Sequence, residues 1–359
     1  MRILHVLNHT GRLNGNVHAA VDLACAQADL GHDVALCSAG GDFDGVLRAH
    51  DVQVFVINQA RKVGTLGGAF LAVLRLIRSW RADLVHAHMM TSAVLAYPAC
   101  KLAGRPLVTT VHNAFERSAV LMAVGSRVIA VSEAVGQSMR KRGVPASRLR
   151  VVLNGTIGSA RMPKPYPEPE VLDHPSVLFV GGLHPRKGVG DLLTAFDIVH
   201  RAAPRATLYL VGEGPSEAEY RAMVDGMACR GAVRFCGAAS DPRSYFRAAD
   251  ILVLPSHADP APLVLSEARE GGCAIVASAV DGIPELLEHG RAGILVPPGS
   301  PDLLADALLL LVQDPQVLAS WRQSSQFNIE RMSIARVARD TLSVYAECFE
   351  HGPLQLKDA

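Results

Sequence analysis

Apolar residues fall into two alternating patterns along the chain: short unbroken runs, and longer stretches in which every third or fourth position is apolar. An unbroken run suits a strand covered on both faces, and the spaced pattern is the stripe of an amphipathic helix. In the first half the runs predict strands at 3–7, 33–37, 52–57, 84–86, 107–111, 128–131 and 151–153, with helices at 17–30 and 70–80. Strands and helices in alternation predict a parallel sheet wrapped by helices. A proline-rich stretch, Met162-Pro163-Lys164-Pro165-Tyr166-Pro167-Glu168-Pro169, then breaks the pattern. It reads as an extended linker over 163–175 and as the domain boundary. Beyond it come strands at 176–180, 207–211, 233–235, 251–254 and 274–277, and helices at 192–200, 218–228, 263–270, 301–312 and 334–348. The second half thus repeats the α/β architecture of the first. At 359 residues the chain has room for two such cores.

Composition narrows the class. Nearly half of the residues are apolar, yet no apolar stretch is long enough to span a bilayer. The opening Met1-Arg2-Ile3-Leu4-His5-Val6-Leu7 reads as a buried strand rather than a signal peptide, so the expected location is the cytoplasm. Seven cysteines with no CxxC pair are expected to be reduced and mostly buried. The net charge of +1 hides an asymmetry: positions 61–150 hold fourteen Lys and Arg against three Asp and Glu. Arg61, Lys62, Arg75, Arg78 and Arg81 flank one helical stretch, and Arg140-Lys141-Arg142 follows another. A solvated helix face accounts for this, and so does attraction to an anionic membrane or a phosphorylated acceptor. Nucleic acid is not expected, because aromatic residues are scarce and no base-reading motif occurs.

Ligands of open parallel sheets collect beyond the carboxyl ends of strands, so candidate chemistry is sought there. The sharpest signal is Asp259 and Glu267, two carboxylates around a helix start that follows Pro260-Ala261-Pro262. The free N–H groups of such a start attract phosphate, and Glu267 lies about a turn inside. After strand 176–180 comes Gly181-Gly182-Leu183-His184-Pro185-Arg186-Lys187-Gly188, where Lys187 can neutralise a diphosphate as a point charge. After the first strand comes Gly11-Arg12-Leu13-Asn14-Gly15-Asn16, either a phosphate approach or a plain turn. His112 follows strand 107–111 and is either a donor to substrate or structural. Asp42-Phe43-Asp44 has the spacing of a metal-binding pair, but two carboxylates offer a hard cation too few oxygens.

Together these segments resemble glycosyltransferase family 4, the glycosyl transferases group 1. The landmarks are the 181–188 loop, Val211-Gly212-Glu213-Gly214-Pro215, Val233-Arg234-Phe235-Cys236-Gly237, the segment 249–256, Asp259 and Glu267, and Gly282-Ile283-Pro284-Glu285. Weaker matches in the first half include Gly31-His32-Asp33-Val34, Val111-His112-Asn113 and Leu153-Asn154-Gly155.

The resemblance implies the GT-B fold: two Rossmann-like, doubly wound parallel-sheet domains facing a central cleft. The first, over 1–162, would bind acceptor, the second, over 176–335, a nucleotide-sugar donor, and 336–359 would cross back to the first. It also implies retaining transfer from a nucleotide-diphosphate sugar, UDP-linked before GDP-linked, to a glycan, lipid-linked or phosphorylated acceptor, without a metal or other cofactor. In that reading Lys187 and the backbone at Leu263 and Val264 hold the diphosphate, and Glu267 the ribose. Gly15 and Asn16 approach the phosphates, Ala239 lies near the base, and His112 and Asp259 meet the transferred sugar. Three positions depart from the family: Asp259 replaces a glutamate, Gly182 an arginine, and Asn16 a glycine. Arg186 or Arg12 is the cation expected to compensate for the missing one. The implied setting is bacterial surface-polysaccharide synthesis, cytoplasmic and peripheral at the inner membrane face. Two other readings of the same scaffold are a non-hydrolysing nucleotide-sugar epimerase and a degenerate nucleotide-sugar-binding module.

Overall fold

The computed structural model describes residues 1–12, 14–59, 63–115 and 117–350. They form two compact units, Met1–Pro163 with Met332–Ala359, and Lys164–Arg331. The first change of unit falls inside the proline-rich stretch. The chain returns to the first unit at Met332, a few residues before the expected break after Ala335.

In the first unit seven parallel strands, β1 (Arg2–Val6), β2 (Asp33–Ser38), β3 (Gln53–Val56), β4 (Leu84–Ala87), β5 (Leu107–Val111), β6 (Arg127–Ala130) and β7 (Leu149–Val151), are ordered β3-β2-β1-β4-β5-β6-β7. Strands β4, β5 and β6 are buried at every position, which is why they lack the apolar–polar alternation of a half-exposed strand. On one face helix Gly15–Asp29 packs Val17, Val21 and Ala24 against Leu7 and Leu36. Elsewhere Ile3, Leu84, Val108 and Ile129 form a core with Val337, Ala338, Val344 and Tyr345 of the last helix, Ile334–Glu350. Burying side chains such as Val344 and Tyr345 stabilises by about 2 kcal/mol each, enough to tie the chain terminus to this unit.

The second unit has six parallel strands: β8 (Ser176–Val180), β9 (Thr207–Val211), β10 (Val233–Gly237), β11 (Ile251–Leu254), β12 (Ala274–Ser278) and β13 (Ile294–Val296), in the order β10-β9-β8-β11-β12-β13. Asp250, just before β11, accepts hydrogen bonds from the Ser176 N–H at 2.9 Å and the Ser176 hydroxyl at 3.0 Å, fixing the adjacent start of β8.

Two differences from the sequence reading have physical causes. Strand β7 lies two residues before the expected 151–153, because Arg150, which makes this run look polar, is neutralised by Glu347 at 2.6 Å. Helix Met90–Ala103 was not expected, since Pro98 sits inside it and its apolar residues form no narrow stripe. The short strand β13 is also absent from the sequence reading. Among the described residues no single helix is long and apolar enough to cross a membrane, and all seven cysteines are free thiols, five of them buried.

Candidate functional site

Each sheet reverses its winding direction once. In the second unit the reversal lies between β8 and β11, and the loops that leave their carboxyl ends diverge there to open a crevice. The loop after β8 turns through a short 3-10 helix, Pro185–Lys187, and Gly188 in the left-handed conformation (φ 68°). A side chain on Gly188 would run into the carbonyl of Pro255, so glycine lets the two loops touch. That contact sets Lys187 Nζ 2.5 Å from Asp259 Oδ2, with both side chains largely buried. The Ser256 hydroxyl donates to the same oxygen at 3.3 Å, and the Asp259 N–H donates to Asp281 Oδ2 at 2.7 Å. Burial raises the pKa of Asp281.

Directly after this pair, helix Leu263–Gly271 begins at Pro262 with no side chain capping its first N–H groups. Of these the Leu265 N–H turns back to the carbonyl of Pro262 at 3.3 Å, and the positive end of the helix dipole favours an anion. Leu263 and Val264 form its first turn and Glu267 lies four residues on from Leu263, all three partly exposed. The helix is anchored from below by Arg269, fully buried, which donates to the carbonyls of Ser325 and Leu286 at 2.7 Å and of Phe327 at 2.5 Å. Sequence reasoning missed Arg269, whose only signal is a charge on the buried side of an apolar stripe.

The other second-unit positions are less engaged. At Gly182 a Cβ would meet the ring of the exposed His184. Arg186 donates to the carbonyl of Ala258 at 2.7 Å, beside Asp259, rather than standing free. Ala239 follows the bulged end of β10, where the Ala238 N–H meets Glu213 at 3.3 Å.

In the first unit the reversal lies between β1 and β4. Gly15 opens helix Gly15–Asp29 and is exposed, but the Asn16 N–H is already bonded to the Asn14 side chain at 3.0 Å. Leu13, Arg61 and Lys62 lie outside the described residues. Asp42 and Asp44 accept from the Arg12 N–H at 2.8 Å and the Thr10 hydroxyl at 2.5 Å, so both carboxylates brace the loop after β1.

His112, at the end of β5, leads into a buried histidine cluster that the sequence reading did not anticipate. His112 Nε2 lies 3.3 Å from His88 Nδ1, and His88 Nε2 lies 2.9 Å from His5 Nδ1. His86 pairs with His5 across β1 and β4, two residues from His88, which is the signal that same-face spacing could have given. Burial lowers the pKa of His5 and of His112 to about 4, and holds His86 and His88 well below the usual histidine range. Nitrogens of His5, His86 and His88 approach within 4.8 Å, but every ring nitrogen already has a hydrogen-bond partner.

These two units and their crevices agree with what the chain resembles. Residues 13–156 match glycosyltransferase family 4, and residues 174–314 match the glycosyl transferases group 1. The chain is 31% identical over 310 residues to the alpha-maltose-1-phosphate synthase of Mycolicibacterium smegmatis, covering 74% of this chain and 79% of that protein. It is 27% identical over 372 residues to the phosphatidyl-myo-inositol mannosyltransferase of the same organism, covering 96% and 93%. Its fold is shared by Anabaena HepE, solved in complex with UDP-glucose: TM-score 0.81, 23% identity, 97% of this chain and all of that one. The protein is a GT-B glycosyltransferase. It belongs to glycosyltransferase family 4 and acts on nucleotide sugars.

Proposed function

We propose that the protein transfers a hexosyl group, with retention at the anomeric carbon and without a metal, from a UDP-sugar to a glycan or glycolipid acceptor. The observation that carries this reading is the Lys187–Asp259 pair at 2.5 Å beside the uncapped start of helix Leu263–Gly271. A cation and a helix dipole converge there on one point, where they neutralise charge developing on a departing diphosphate. Asp259 holds the lysine in place and turns its remaining oxygen to a sugar hydroxyl. Glu267 is assigned to the ribose hydroxyls, His112 to the transferred sugar, Gly15 and Asn16 to the phosphates and Ala239 to the base. The uridine preference draws support from HepE, whose structure holds UDP-glucose.

In the reaction the bond between the anomeric carbon and the phosphate oxygen breaks with its electron pair on phosphate. The acceptor hydroxyl attacks the same face, and its proton passes to the leaving phosphate, so the enzyme supplies orientation and charge rather than a nucleophile. Replacing Lys187 by Ala should lower kcat by about 100-fold or more while the circular dichroism spectrum is unchanged. Near-normal turnover would remove Lys187 from the role. The wild-type rate should persist in excess chelator, and its loss there would overturn the metal-free mechanism. The acceptor is proposed to be lipid-linked, supported by the mannosyltransferase relative, whose name specifies a phosphatidyl-inositol acceptor, and by the basic first unit.

A further inference from the structure

The histidine cluster under His112 has a definite direction of hydrogen bonding. Gln27 Oε1, an acceptor only, lies 2.8 Å from His5 Nε2, so His5 carries its proton on Nε2. A neutral imidazole has one N–H, and His5 Nδ1 is therefore a lone pair, facing His88 Nε2 at 2.9 Å. His88 must then carry its proton on Nε2, and its Nδ1 lone pair faces His112 Nε2 at 3.3 Å. The same count makes His112 protonated on Nε2 and leaves its Nδ1 as an acceptor with no protein partner among the described residues.

A side branch fixes the end of the chain. Gln27 Nε2 donates to the Tyr345 hydroxyl at 3.3 Å, with the amide oxygen toward His5. The Tyr345 proton goes to His86 Nδ1 at 2.6 Å, and His86 Nε2–H goes to the Thr110 hydroxyl at 2.7 Å. In this assignment each link from Gln27 to His112 and from Gln27 to Thr110 has one donor and one acceptor. Gln27, His5 and His86 are fully buried and His88 nearly so, so water cannot substitute for a broken link. Burial also keeps the rings neutral well below pH 6.5, which preserves the one-proton count at working pH.

We propose that Gln27, His5 and His88 form a tautomer relay for His112, holding His112 Nε2 protonated and Nδ1 bare to accept a hydrogen bond from a hydroxyl of the transferred sugar. The three are positioning residues: none touches substrate, and each acts through the next ring. The residue that decides the tautomer, Gln27, stands on helix Gly15–Asp29, and Tyr345, on the last helix of the chain, holds its amide in orientation. The inference rests on the reading that His112 handles the sugar.

The test is nitrogen NMR of the full chain labelled with 15N-histidine, with the His112 resonances assigned by their loss in His112→Gln. In the wild type at pH 7.5, His5, His88 and His112 should each show the proton on Nε2, with a coupling across the hydrogen bond between His88 Nε2 and His5 Nδ1. A proton on Nδ1 of His5 or His88 would overturn the relay. Gln27→Met, close in volume but with neither donor nor acceptor, should give a mixed tautomer at His112. It should also lower kcat about tenfold with little change in donor KM, a fraction of what a positioned proton-handling group contributes. Unchanged His112 nitrogen shifts in Gln27→Met would sink the proposal. His112→Ala separates the two layers: wild-type turnover there refutes the sugar-handling role whatever the tautomers, whereas a loss of turnover leaves the relay to be decided by the Gln27 variant.

Discussion

Asp259 departs from the glutamate expected at its position, and its contacts show what the shorter side chain does. Its Oδ2 already receives Lys187 at 2.5 Å and the Ser256 hydroxyl at 3.3 Å, and its own N–H is tied to Asp281 at 2.7 Å, so the backbone cannot drift to suit a longer residue. A glutamate here would carry the carboxylate past the lysine toward the sugar. Asp259→Glu is therefore expected to reorder the preference among UDP-hexoses, read as kcat/KM over a donor panel, and the same ranking as wild type would show that the missing methylene does not set sugar choice. Asp259→Asn removes the charge but keeps the shape and leaves Lys187 largely buried without its counter-ion. Its kcat should fall by about 10- to 100-fold, since the charge proposed to act on the diphosphate then loses both its partner and its position. Wild-type kcat in Asp259→Asn would mean that the pair serves only stability.

At the level of elements, helix Leu263–Gly271, proposed to face the diphosphate, is nine residues long, too short to stand by itself, and its orientation depends on the buried Arg269. Replacing Arg269 by Leu leaves three carbonyls, those of Ser325, Leu286 and Phe327, without their donor in a dry interior. The expected loss is about 3 kcal/mol or more, measurable as a lower midpoint in urea, with weaker UDP binding as the helix start shifts. An unchanged midpoint would show that the backbone finds other donors. The contrast between Arg269 and Lys187 marks how far the sequence could be read. Lys187, Asp259 and Glu267 stood out because strand ends and a helix start frame them, and most strands are legible because both faces are buried. Arg269, Arg150 and the histidines of β1 and β4 were illegible because their partners, backbone carbonyls, Glu347 and Gln27, lie far away along the chain. Local pattern carries the ligand-facing loops, and tertiary pairing hides the polar groups that hold them.

For the molecule as a whole, the basic surplus between positions 61 and 150 is partly spent inside the first unit. Arg127 and Arg150 bind Glu347 of the last helix at 2.9 and 2.6 Å, and Arg142 and Arg148 donate to the carbonyls of Ala114 and Ala123. What remains outward is smaller, including Arg75, Arg81 and Lys141, and the same unit exposes Leu71, Tyr97 and Leu102. If this surface meets a lipid-linked acceptor, the protein should sediment with anionic vesicles at low salt and be released at high salt, because contact of this kind is screened within about 10 Å at 0.1 M. No sedimentation at low salt would count against the lipid-linked acceptor. The same first unit should respond to acid. His5 and His112 are held at about 4 by burial, and His18 at about 3 by burial and by the Arg161 charge, whereas all three titrate near 6.5 once unfolded. Between these values the unfolded chain binds protons that the folded chain refuses, so stability is full above pH 6.5 and falls as the pH drops toward 4. Each group can remove about 1 to 2 kcal/mol between pH 6.5 and 5, a window above the range in which the paired carboxylates begin to lose their charge. Thermal unfolding should therefore show a midpoint that drops steeply from pH 6.5 to 5 with more than one proton taken up per molecule. A flat midpoint across that interval would place these imidazoles in water rather than in the core.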